Sequence, residues 1–243
     1  MSKNPRRVQL APAYILHHQP YRDTSRILEV HTREYGRLTV FARGVRGPKA
    51  KLASILQPFQ LVLLSWTGRG DAPQLTAAES TPDPAALPPA NLMAGFYLNE
   101  LLLKLTTRHD PHPSLFDSYH EALEGLKHGD SVQRALRIFE KRLLEEVGYG
   151  LDLAAEAQGG RGIDADSFYQ FRPLQGLIPA PPDAPGALAG SSLVSLAREQ
   201  LGAPGELEDS RRLLQAAIAH CLEGRELATR VVARAIARRE PRP

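Results

Sequence analysis

Ser25-Arg26-Ile27-Leu28-Glu29-Val30-His31-Thr32, then Arg33-Glu34-Tyr35-Gly36, then Arg37-Leu38-Thr39-Val40-Phe41-Ala42: this stretch reads as two β-strands joined by a tight turn. Leu28 and Val30 fall on one face and Ile27, Glu29 and His31 on the other. In the second run Leu38 and Val40 oppose Thr39 and Phe41. A period of two is what a half-buried strand imposes on its sequence. Gly36 tolerates positive φ at the end of the turn, so the chain can return directly into the second strand.

Working outward, a strand around Ala13 to His17 ends near Pro20, one over Phe59 to Trp66 is bounded by Pro58 and Gly68, and one over Gln74 to Glu79 follows the turn Gly68 to Pro73. Five short strands with turn residues between them point to an all-β barrel of the oligonucleotide-binding (OB) kind over residues 1–80. Pro82, Pro84, Pro88 and Pro89 deny a helix or a central strand to residues 81–90, which are assigned as a linker.

Residues 91–243 read as a mainly α-helical domain. Asn91 can cap a helix whose Leu92, Met93, Phe96, Leu98, Leu101 to Leu103 and Leu105 cover nearly all sides, as in a buried central helix. Pro113 can start a second helix, and Asp130 or Ser131 can cap a third that runs to Val147 before Gly148. Residues 153–190, rich in Gly, Ala and Pro, form an irregular insert in which Phe168, Tyr169, Phe171, Leu177 and Ile178 look like short strands. Helical character returns at Ser192 to Leu201, Asp209 to Leu222 and Glu226 to Arg239.

With 42% hydrophobic and 23% charged residues the chain has globular composition. Its single cysteine, Cys221, allows neither an intrachain disulfide nor a cysteine-cluster zinc site, and a reducing, cytoplasmic setting is expected. Met1 to Gln9 lacks an apolar segment behind its cations, so no signal peptide is expected. Leu92 to Leu105 is too short and too polar for a membrane span. The net charge of +3 is unevenly spread: residues 1–80 hold twelve Lys or Arg against five Asp or Glu. Such an excess is the electrostatic footprint of a polyanion site.

The sharpest local signal is Arg43-Gly44-Val45-Arg46-Gly47-Pro48-Lys49-Ala50-Lys51, with four cations and no acid. Glycines let the backbone approach a phosphate, and long cationic side chains neutralise it. Arg43, Arg46, Lys49 and Lys51 are therefore assigned to DNA, with Arg37 on the strand before them. Phe41, Trp66 and Tyr35 are the candidate stacking rings. Four phosphate contacts by single-stranded DNA imply a roughly fifty-fold affinity loss between 50 and 200 mM salt. Arg225, Arg230, Arg234 and Arg238 follow helical spacing and form an auxiliary DNA set. On the third helix Arg134, Arg137 and Arg142 border Phe139, a surface able to hold an acidic, apolar-ended peptide. The histidines lack a third well-spaced ligand, so no metal and no cofactor is expected. Walker, G-x-S-x-G, H-E-x-x-H and Rossmann signatures are missing, which argues against an enzyme.

Tyr14-Ile15-Leu16, Tyr21-Arg22-Asp23-Thr24-Ser25, Gly36-Arg37-Leu38, Ala42-Arg43-Gly44-Val45-Arg46 and Leu56-Gln57-Pro58-Phe59 resemble, in order and spacing, the amino-terminal domain of the RecO family of bacterial DNA repair proteins. Leu136-Arg137-Ile138-Phe139-Glu140, Leu143 to Tyr149 and Gly224-Arg225-Glu226-Leu227 resemble its helical portion. The resemblance implies a recombination mediator that binds single- and double-stranded DNA and anneals complementary strands. It also implies RecR and the carboxyl-terminal tail of the single-strand binding protein SSB as partners, RecA loading as the outcome and a nucleoid-associated location. Many family members carry a Cys-x-x-Cys zinc module where this chain has Ala155-Glu156-Ala157-Gln158-Gly159-Gly160, so a zinc-free insert is expected. Two rival readings remain: a protein-binding adaptor whose basic loop is incidental, and a nucleic-acid-processing enzyme.

Overall fold

In a computed structural model, which describes residues 7–46, 52–68, 70–81, 86–129 and 131–237, β2 (Ser25–Thr32) and β3 (Gly36–Ala42) pair antiparallel, with Thr32 opposite Gly36 and Ile27 opposite Phe41. They join β1 (Arg7–Tyr21), β4 (Leu61–Thr67) and β5 (Gln74–Ser80) in a closed barrel of order β1-β2-β3-β5-β4. The strand expected over Ala13 to His17 is far longer. Register shifts between Val8 and Ala11 and between Ile15 and His17 bend β1, so that it pairs with β4 and with β2. The barrel closes where β3 meets β5 in parallel, Phe41 opposite Gln74.

The inward residues are those that the alternation marks: Leu28, Val30, Leu38, Val40, Val62 and Leu64, joined by Ile15, Val45, Leu56 and Trp66 in one buried cluster. Gly36 is required twice over. Its φ is +65°, and an added Cβ would lie 2.2 Å from the Asp110 carbonyl oxygen.

After a short 3₁₀ turn (Pro89–Asn91) come α1 (Leu92–Leu105) and α2 (Pro113–His128). The chain divides into two compact units, residues 1–127 and 128–243, so the first unit extends well beyond the proline-rich stretch at 81–90. Tyr14, fully buried on β1, shows why. Its ring meets Phe116 and Tyr119 at centroid distances of 5.4 and 5.0 Å, and its hydroxyl shares a 2.6 Å hydrogen bond with His120 Nδ1. Tyr119 donates to Asn99 Oδ1, and Asn99 Nδ2 donates to the Leu16 carbonyl at 2.8 Å. Apolar contact and satisfied polar groups thus join α1 and α2 to the barrel wall.

The second unit contains α3 (Val132–Glu146), a three-stranded sheet of order β7-β6-β8 from β6 (Phe168–Arg172), β7 (Gly176–Pro179) and β8 (Leu188–Ala189), then α4 (Gly190–Ala197), α5 (Pro204–Cys221) and α6 (Ala228–Ala237). Ser131 caps α3 by accepting from Arg134 N. The insert is more ordered than its composition indicates. α5 begins five residues before the expected Asp209, because Pro204 suits a first helical turn and Glu206 accepts from the Gly202 and Ala203 amides at 2.9 Å.

His31 gives the first unit a pH dependence. It is buried against Phe116 and Tyr119, and neither ring nitrogen has a hydrogen-bond partner. Burial, with the charges of His112 and Arg37 adding to it, pushes its pKa from 6.5 down to about 4. The unfolded chain therefore takes up a proton that the folded chain refuses. The stability His31 allows is whole above pH 6.5 and is lost as pH falls from 6.5 towards 4, by about 2 kcal/mol on reaching pH 5. Urea unfolding of the wild type and of His31→Phe at pH 7 and pH 5 should differ by that amount in their pH sensitivity. Equal sensitivity contradicts the assignment.

Candidate nucleic-acid interface

The hairpin register builds the site. Gln19 faces Ile27 across β1 and β2, and Ile27 faces Phe41 across β2 and β3, so these three share the outer face of the barrel. Tyr21 lies two residues beyond Gln19 on that face, and its ring meets Phe41 edge to face at 5.3 Å. Each ring carries an arginine: the Arg22 guanidinium lies 5.4 Å from the Tyr21 centroid, and that of Arg43 lies 5.6 Å from the Phe41 centroid. Tyr21, Arg22 and Arg43 are exposed and Phe41 is half-buried. Two surface rings, each with a guanidinium over it, can offer a platform to unstacked bases and their phosphates.

The loop after β3 is anchored where it is described. Val45 is fully buried in the barrel core, the Arg46 amide donates to the Thr24 carbonyl at 3.0 Å, and Arg46 Nη1 donates to the Arg22 carbonyl at 2.9 Å. Arg46 therefore locks the 22–24 turn against the loop and holds Arg22 and Arg43 near each other. Lys49 and Lys51 lie outside the described residues. A strand over Ala13 to His17 that ends near Pro20 stops short of Tyr21 and Arg22, so the sequence does not mark them as site residues. In the antiparallel register Tyr21 faces Ser25, two residues past the Gln19–Ile27–Phe41 row, from which its ring reaches Phe41.

Three expected contacts are corrected. Trp66 is 1% exposed inside the barrel, with Tyr35 packed edge-on against it at 5.3 Å, so the Trp66 ring has no face to offer a base and Tyr35 serves as its cover. Arg37 is committed elsewhere. Its guanidinium donates to Glu29 at 3.1 Å and to the hydroxyl and carbonyl of Thr106 at 3.2 and 2.7 Å, which ties the end of α1 to β3. Burial raises the Glu29 carboxyl, but hydrogen bonds from Thr39 and Arg108 and the charge of Arg37 outweigh it and hold the group below its ordinary pKa.

In the second unit, α3 turns Arg137 and Phe139 inward. Phe139 is 1% exposed, and Arg137 donates to Glu140 at 2.6 Å in a buried pair. The helical period places both with Leu136, Leu143 and Leu144, so they are corrected from surface to core. Arg134 and Arg142 do face outward. Arg142 holds Glu199 through bonds of 3.0 and 2.6 Å, Lys141 joins at 3.1 Å, and Arg134 donates to the Glu199 carbonyl at 3.2 Å. Among the carboxyl-terminal cations, Arg225 donates to the Leu222 carbonyl and pairs with Glu223, Arg230 lies on α6, and Arg234 pairs with Glu226. Arg238 lies outside the described residues.

A family zinc module finds no donor set in the insert, where Ala155 to Gly160 include neither thiol nor imidazole. Backbone bonds close the turn instead: Glu156 N to the Arg161 carbonyl at 2.8 Å and Ile163 N to the Ala154 carbonyl at 3.0 Å, with Asp152 accepting from the Ala154 and Ala155 amides. Among the described residues no group of three metal-ligating side chains converges, and no helix is long and apolar enough to cross a membrane. The second unit also has a cleft of about 290 Å³ lined by Tyr149, Phe171, Leu174, Ala217, His220 and Cys221.

Comparison with known proteins divides the chain at the proline-rich stretch rather than at the boundary between the two compact units. Residues 8–82 match the family profile described as "Recombination protein O N terminal", and residues 89–230 match "Recombination protein O C terminal". The chain is 41% identical over 227 residues to the DNA repair protein RecO of Methylococcus capsulatus, covering 93% of each. It is 43% identical over 226 residues to that of Nitrosococcus oceani, covering 92% of each. It is 38% identical to that of Ralstonia nicotianae, covering 93% of this chain and 84% of the relative.

The placement of the rings separates two kinds of variant. Tyr21→Ala and Phe41→Ala should each weaken single-stranded oligonucleotide binding by about 1–3 kcal/mol, roughly five- to a hundred-fold, as read by fluorescence anisotropy. Trp66→Ala should instead cost about 3–5 kcal/mol of stability in denaturant unfolding. Oligonucleotide affinity insensitive to both ring variants contradicts the platform.

Proposed function

The chain belongs to the RecO family of DNA repair proteins, and from that premise we propose that it is a recombination mediator that binds single- and double-stranded DNA and anneals complementary strands. The observation that carries this reading is the Tyr21–Phe41 pair with Arg22 and Arg43 over its rings and Arg46 bonded to the adjoining turn. Annealing makes and breaks no covalent bond, in keeping with a non-enzymatic role. Cations lower the repulsion between two phosphate backbones, and bases resting on protein rings are parted from their own neighbours and stay available for pairing. Arg43, Arg46, Lys49 and Lys51 hold one backbone in this mechanism, and Tyr21 and Phe41 take its bases.

RecR and the SSB tail are the partners of the proposed reaction, RecA loading is its outcome, and the nucleoid within the cytoplasm is its place. For an acidic, apolar-ended tail the available cations are Arg134 and Arg142. Glu199 shows that this spot accepts a carboxylate, and a tail would have to displace it.

Alanine at Arg43, Arg46, Lys49 and Lys51 together should remove most single-strand affinity and flatten the salt dependence by roughly 3 in the slope of log affinity against log salt, at about 0.7 per phosphate contact. Anisotropy titrations at several salt concentrations read both, and annealing of labelled complementary strands should slow in parallel. Unchanged affinity and slope would instead favour the adaptor reading. Magnesium-dependent product formation from the labelled DNA would favour an enzyme.

A further inference from the structure

Helix α6 bears an amphipathic face that the proposed DNA platform does not use. Val231, Val232 and Ile236 are 48%, 47% and 47% exposed, and Leu227, just before the helix, is buried and anchors its start. At 100° per residue, Ala228, Val231, Val232, Ala235 and Ile236 fill a single arc of roughly 140°. Arg234 borders that arc beside Val231, and Arg230, one turn before it, stands on the opposite, polar face. A helix this exposed and this apolar on one side is a contact face rather than a solvated one.

Charge and side-chain type select the occupant. From Gly224 to Pro243 the sequence holds six arginines against two glutamates, so two copies of this segment repel each other. A lipid surface is a poor match, because helices that lie in a bilayer interface place Trp, Phe or Leu on the apolar face, and this one offers only Ala, Val and Ile. Nucleic acid would meet the arginines and leave the aliphatic arc wet. Short and β-branched side chains in a smooth stripe suit close packing against another helix, and the arginine edge calls for carboxylates. Glu226 already sits on Arg234, which shows that a carboxylate is accommodated there. We infer that α6 docks an acidic amphipathic helix of a partner protein, its Val231, Val232 and Ile236 covered by aliphatic residues and its arginine edge met by glutamate or aspartate.

The test uses the full chain and a three-heptad synthetic helix with Leu and Ile at the a and d positions and Glu at e and g, beside a scrambled peptide of the same composition. Anisotropy should show binding of the patterned peptide in preference to the scramble. The double variant Val232→Ser and Ile236→Ser should weaken it roughly tenfold or more, and Arg234→Glu should weaken it severalfold. Circular dichroism should show the fold unchanged, since these side chains are on the surface. Tyr21→Ala and Phe41→Ala should leave peptide binding intact, which keeps this inference separate from the DNA reading. No preference over the scramble, or affinity indifferent to the stripe variants, overturns the proposal. So does a stripe dependence that appears instead in binding to phosphatidylglycerol vesicles, in binding to duplex oligonucleotide, or in self-association by sedimentation.

Discussion

Closure of the barrel at Phe41 is the constraint on which the first unit rests. β3 reaches β5 through a single parallel pairing of Phe41 with Gln74, and the Phe41 amide donates to the Pro73 carbonyl at 2.9 Å. That contact turns an open sheet with two edges into a barrel with none. It also fixes the backbone of the residue whose ring faces outward at the mouth of the basic loop. Fold and site are therefore coupled through one residue: its main chain seals the barrel while its side chain receives Tyr21 and Arg43.

Around that seal the charged residues divide by what holds them. Arg37, Arg108 and Glu29 form a tie between the barrel and the end of α1, and their charges are spent on each other. Arg46 gives its amide and one guanidinium nitrogen, Nη1, to the 22–24 turn. Arg22 and Arg43 lie over rings at the surface, where a cation keeps its long-range field and can still move towards a phosphate. The distinction is one of geometry, since the five arginines look alike in composition.

This division explains which parts were legible in the sequence. The alternation of Leu28, Val30, Leu38 and Val40 gave the barrel because strand period and burial are set locally, and the caps and prolines gave most helix starts for the same reason. Trp66 and Phe41 are both aromatic and stand on strands of one barrel, β4 and β3, yet one points in and the other out; only the register decides, and a shift of one residue reverses it. By spacing Arg137 and Phe139 look like a basic rim with an aromatic neighbour, yet both are buried on α3, a helix that packs on α5. Tyr21 is hidden because the strand expected over Ala13 to His17 ends near Pro20, whereas β1 continues through Pro20 to Tyr21. Long-range pairing, rather than residue type, supplied what the sequence alone left out.

The account is tested most directly by photocrosslinking a single-stranded oligonucleotide carrying 5-iodouracil to the full chain and mapping the linked peptides by mass spectrometry. Excited halogenated bases link to aromatic side chains they stack on, so the account predicts adducts on Tyr21 and Phe41 and none on Trp66 or Tyr35. Adducts confined to the second unit, with the 21 to 46 segment unlabelled under conditions where the oligonucleotide is bound, would contradict it.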